Sequence, residues 1–79
     1  MAQVSERECR DVIAALGPAN PEIYMDDDWG WTIACVYPPG SVDDIAAEKM
    51  RIASGLPQEW SSAWIDAESR GHRCLIYKC

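Results

Sequence analysis

The chain of 79 residues has no phenylalanine, one histidine, and only seven basic residues against thirteen acidic ones. Each scarcity excludes something. At a formal charge of −6 the protein is repelled by DNA, RNA and anionic membranes, because those affinities come mainly from Lys and Arg neutralising phosphates. Direct nucleic-acid binding and membrane association are therefore not expected. A single imidazole, His72, leaves any thiol–imidazole pair one possible base, and nothing in the local sequence activates Cys9, Cys35, Cys74 or Cys79. The five glycines each punctuate an element, so no glycine-rich phosphate loop exists. The cysteines lack the paired spacing of two to four residues that zinc knuckles use. No enzyme activity, metal or cofactor is expected. The longest mostly apolar stretch, Trp29 to Tyr37, is too short to span a bilayer. The first eleven residues alternate charge without an apolar segment, so no secretory leader is read. Free thiols in a reducing, cytoplasmic compartment follow, with a disulfide between neighbouring strands, such as Cys35 with Cys74, as the alternative in an oxidised preparation.

What the chain does have is tryptophan. Four Trp and three Tyr can each bury roughly 150–250 Å², enough to supply much of a core or much of an interface. A chain of this length forms one domain, residues 1–79, burying only about 60–65% of the surface its unfolded form exposes. A deep substrate cavity would hollow out that core.

Local signals set the element order. Ser5 with Glu8 makes a capping box and Val4 with Cys9 a hydrophobic staple. Cys9, Val12, Ile13 and Leu16 then form one helical stripe, which Gly17-Pro18 stops. Glu22–Asp26 and a run ending at Tyr37 read as a hairpin. Its second strand carries Trp31, Ile33, Cys35 and Tyr37 on one face and Gly30, Thr32, Ala34 and Val36 on the other. Trp29 joins the first face if the strand includes it, and lies in the turn if Gly30 takes the left-handed position. Ser41 caps a second helix with Asp43 and Asp44 in its first turn. Its stripe is Val42, Ile45, Ala46, Met50 and Ala53, with Ile52 beside it, and Gly55 stops it. Pro57 opens a third helix whose face is Trp60, Ala63, Trp64 and Ala67, ended by Gly71. His72–Lys78 is the last strand. The expected fold is a small α+β domain of order α-β-β-α-α-β, without a sequence repeat. A three-stranded, at least partly antiparallel sheet carries its helices on one face.

Charge is unevenly placed. Residues 1–48 carry ten acids and two bases, whereas residues 49–79 carry five bases and three acids. Neighbouring charges in Asp26-Asp27-Asp28 repel by about 1 kcal/mol even in water. Their spacing does not match a calcium loop. They are either a solvated turn that protects a strand edge or a contact surface for Lys and Arg on a partner. In the second reading Asp43, Asp44 and Glu48 extend the surface, and Trp29 is an apolar anchor ringed by carboxylates, a combination that gives affinity and steering. The candidate partner-binding set is Asp26, Asp27, Asp28, Trp29, Asp43, Asp44 and Glu48, in a monomer or a homodimer.

A tiny, acidic, self-contained domain with these residues and no reactive centre resembles the small inhibitors that phages and mobile elements deploy against bacterial defence, anti-CRISPR proteins in particular. The resemblance implies an acidic surface, working as a DNA mimic, that occupies a Lys/Arg-lined site of a CRISPR effector complex in the bacterial cytoplasm. The bases Arg70, Arg73 and Lys78 depart from strong nucleic-acid mimicry and leave steric blocking open. A host regulatory or adaptor module, or a small subunit of a hetero-complex, is the alternative, followed by a small thiol or metal protein.

Overall fold

Ser5, in extended backbone, accepts the Glu8 amide on its hydroxyl at 3.2 Å and opens α1 (Glu6–Leu16). Val4 and Cys9 are both buried, as a staple requires. The helix stops where the Gly17 amide donates to the Ile13 carbonyl. The computed structural model describes residues 4–40 and 42–78. The proposed cap Ser41 and the terminal Cys79 lie outside the described residues.

Next come β1 (Glu22–Asp26) and β2 (Gly30–Tyr37), paired antiparallel with Ile23 opposite Ile33. Asp26 Oδ1 accepts the amides of Asp28 (2.8 Å) and Trp29 (3.2 Å), an Asx turn that Gly30 closes at φ +77°. Trp29 therefore lies in the turn, the second of the two placements its sequence allows. The helix α2 (Val42–Gly55) follows. Its buried residues are Ile45 and Ile52, while Val42 and Met50 are exposed. The expected stripe is thus corrected by rotation, because Glu48 turns inward to meet Tyr37.

The third helix does not form. Residues Trp60–Asp66 are a strand, β3, paired antiparallel with β4 (His72–Lys78). A spacing of four keeps Trp60 and Trp64 on one side of a strand as it does of a helix, and tertiary pairing decides for the strand. The order is α-β-β-α-β-β, with a short 3₁₀ turn at Glu68–Arg70. The sheet has four antiparallel strands in the order β1-β2-β4-β3. Among the described residues two α-helices replace the expected three, and four strands the expected three.

The element string is one αββ unit used twice. Asn20, two residues before β1, and Glu59, directly before β3, both have positive φ. No residue pattern repeats, yet the second strands β2 and β4 meet at the sheet centre with Cys35 opposite Cys74. Alternation puts Ile33, Cys35, Tyr37, Cys74 and Ile76 on the side that joins Cys9, Val12, Leu16, Ile45 and Ile52 in one core. Trp31, Trp60 and Trp64 pack partly buried at its margin. The opposite side of the sheet carries no helix among the described residues.

Candidate interaction surface

The helix-free side is set by register. Across its middle run Glu22, Ala34, Leu75 and Ala63, each paired with the next. On one flank lie Tyr24 and Thr32, then Tyr77 and Ser61. On the other lie Val36, Arg73 and Ile65. Although no helix covers this side, Thr32 is fully buried. Aromatic groups close that flank: Trp29 folds back from the hairpin turn and stacks on Tyr77, with ring centroids 4.0 Å apart and planes 11° apart. The other flank stays open, with Val36 43% and Ile65 51% exposed. The face thus mixes apolar groups with Glu22 and Arg73.

The hairpin turn supplies the charge. Asp26 is half-buried, its carboxylate holding the turn and sitting 3.5 Å from the Tyr24 hydroxyl. Asp27 and Asp28 are exposed at the tip. Trp29 remains 37% exposed despite its stack, next in the chain to the exposed Asp27 and Asp28.

The second acidic group lies elsewhere. Asp43 and Asp44 are in the first turn of α2, which follows the far end of β2. Eight residues of strand span roughly 25 Å in a molecule whose long dimension is 39 Å. The structure therefore does not join Asp26–Asp28 to Asp43 and Asp44 in one surface. Glu48 is engaged inside the fold: it accepts the Tyr37 hydroxyl at 2.5 Å and the Arg51 guanidinium at 2.6 and 2.8 Å. Arg51 in turn donates to the Leu16 carbonyl at the end of α1. The Arg51 contact chiefly, and the Tyr37 hydroxyl after it, hold the Glu48 carboxyl below its ordinary value of 4.5, against partial desolvation. Burial first, and then the bond to Glu48, push the Tyr37 phenol up.

A carboxyl whose folded pKa is depressed contributes stability above its unfolded value and loses it as pH falls through the folded one. Unfolding free energy measured by urea titration is therefore expected to drop between about pH 5 and pH 3. Glu48→Gln, which keeps an acceptor for Tyr37, should flatten that drop. An unchanged slope in the variant would remove Glu48 from this role.

Near the same end, Val42, Ile45, Ala46, Lys49, Asp66 and His72 line an open groove of about 270 Å³. Asp66 takes His72 Nδ1 at 2.7 Å on one oxygen and Lys49 Nζ at 2.7 Å on the other. Lys49 and then His72 hold its carboxyl low. An imidazole oriented by a carboxylate is half of a base-activated nucleophile arrangement, and the lining holds no hydroxyl or thiol among the described residues. Cys35 and Cys74 face each other across β2 and β4 as buried free thiols, which burial pushes up to about 11 and about 12. No group of three or more metal-binding side chains converges among the described residues. No helix among them is long and apolar enough to cross a membrane.

The sequence missed Tyr77, Leu75, Val36 and Ile65 as surface-forming residues. The alternation of the last strand placed Tyr77 opposite Cys74 and Ile76, but only the pairing of β4 beside β2 brings it beneath Trp29. Compared with known proteins, the chain matches no family model, no curated protein and no solved structure.

Proposed function

We propose that the protein is a non-catalytic binding module that inhibits a larger complex by occupying a basic, nucleic-acid-handling surface, of the kind CRISPR effector complexes present in a bacterial cytoplasm. One observation carries this reading: Trp29, stacked on Tyr77 and still exposed, directly follows the exposed Asp27 and Asp28 in the hairpin turn. The aromatic ring supplies a rigid apolar anchor with two torsions to fix. The carboxylates steer it towards Lys and Arg on the partner and tie the encounter rate to ionic strength. The formal charge of −6 favours that approach over the whole surface.

Purified protein titrated into CRISPR effector ribonucleoproteins is expected to lower target-DNA binding, with an apparent affinity that weakens as salt rises. Changing Asp27 and Asp28 to Lys together with Trp29→Ala should weaken the complex by about 30-fold or more, the scale of a lost hot spot. Asp43→Ser with Asp44→Ser, some distance away, should change it much less. Equal losses from the two sets would move the site off the hairpin. An interaction indifferent to both, and to salt, would sink the reading.

A further inference from the structure

The sheet has two edges in equivalent positions of the repeated αββ unit, and the residues treat them differently. An edge strand presents unpaired backbone donors and acceptors, and proteins blunt such edges with short strands, proline or charge. β1 has all three: five residues, Pro21 before it, Glu22 at its start and Asp26–Asp28 at its end. β3 is longer, seven residues, Trp-Ser-Ser-Ala-Trp-Ile-Asp, with no proline and no base within it, although Pro57 and Glu59 stand just before it. Its one charge, Asp66, is already engaged by Lys49 and His72. It stands last in the strand order.

We propose that β3 is the seam of a homodimer, in which two copies pair β3 against β3 antiparallel about a two-fold axis and merge their sheets into one of eight strands. Charge selects a second copy as the occupant. Two copies repel wherever acids are exposed, and residues 1–48 carry ten acids to two bases. Residues 60–78, from β3 through β4, carry three bases to two acids, so the copies approach at least electrostatic cost there. An isologous interface must complement itself, and this strand does. An axis through Ala63 sets Ala63 opposite Ala63, Ser62 opposite Trp64, Ser61 opposite Ile65 and Trp60 opposite Asp66. No like charges oppose one another, and the smallest side chain falls on the axis. Pairing also covers Ile65, which is 51% exposed, and the flanks of Trp60 and Trp64, which the fold leaves half-buried.

Seven-residue edges bury an area at the low end of specific interfaces, so the dimer is a concentration-dependent one. The strand order then becomes β1-β2-β4-β3-β3-β4-β2-β1, with the two acidic hairpins on opposite outer edges. Seven inter-strand steps separate the β1 strands by roughly 34 Å. If the hairpin is the partner-binding tip, the dimer is bivalent and gains avidity on any target with two sites at that reach. The dimer itself does not rest on that reading.

Sedimentation equilibrium from about 10 µM to about 1 mM tests the seam by mass action. The weight-average mass is expected to rise from 8.8 kDa towards twice that value. Ala63→Lys and Ala63→Glu lie on the helix-free side, where a long side chain can reach solvent, and circular dichroism melts check that each stays folded. Like charges directly opposed across a strand pair repel, so each variant alone should remain monomeric throughout the range. An equimolar mixture should recover the dimer. A wild-type chain that stays at monomer mass throughout, a dimer untouched by either charge, or a mixture that fails to recover it would each overturn the proposal. The variant with altered Asp27, Asp28 and Trp29 should dimerise normally, which separates failure here from failure of the partner reading.

Discussion

Gly71→Ala is expected to lower stability by about 3 kcal/mol or more, a large part of the roughly 4–12 kcal/mol available to a domain of this size. Two costs coincide at this position. Its φ is +97°, a region that residues with a Cβ rarely adopt. A Cβ there would run into the Tyr37 carbonyl oxygen and approach two backbone atoms of Pro38 at 3.4 Å. Those obstacles are main chain at the end of β2, so they cannot swing aside as a side chain would. The Gly71 carbonyl also accepts the Ala67 amide at 3.0 Å, closing the loop into β4. Gly30→Ala is the control: its φ is +77°, but a Cβ there meets nothing within 4 Å, so conformational strain acts alone and about 1–2 kcal/mol is expected. Urea unfolding of the two variants should show Gly71→Ala with much the lower midpoint. Equal midpoints would mean that the approach of Gly71 to Tyr37 and Pro38 does not constrain the fold.

Ile76→Ala should cost about 2–5 kcal/mol, whereas Leu75→Ala, one residue away, should cost clearly less. Ile76 is fully buried opposite Ile33 and shares the core with both helices, and its truncation leaves a cavity the paired strands cannot close. Leu75 is half-buried on the helix-free side, where loss of the side chain opens to solvent. Neighbouring positions on one strand thus report on its two sides. Thermal melts of both variants under one condition would settle the matter, and a reversed order would mean that the helices cover the other side of the sheet.

How far the residues alone revealed this molecule depended on how local the cause was. The Ser5 cap, the turn at Asp26-Asp27-Asp28 with Gly30 and the alternation of His72–Lys78 act within a few positions, and each produced the element it implies. Residues 57–66 failed because Trp60 and Trp64, four apart, share a side in a helix and in a strand alike. The pairing with β4 that decides between them is absent from local sequence. The α2 stripe failed for a related reason, since an acidic residue turns inward only when Tyr37 and Arg51 wait for it. The acidic set was read as one surface because its members are close in the chain, but an eight-residue strand between two such groups carries them apart. Trp29 was singled out for its neighbours, and its stacking partner, 48 positions further on, could not be seen without the sheet.

β4, made after the other three strands, sits between β2 and β3. Until residues 72–78 are present, β3 has no neighbour and the β1–β2 hairpin has none beyond itself. The pairing of Ile33 with Ile76 spans most of the described chain. A growing chain therefore cannot build this sheet piecemeal from its N-terminus. The hairpin and α1 must wait, with the apolar side of β2 exposed, until translation has passed β4, and the sheet then closes in one late, cooperative step whose rate is limited by long-range loop closure.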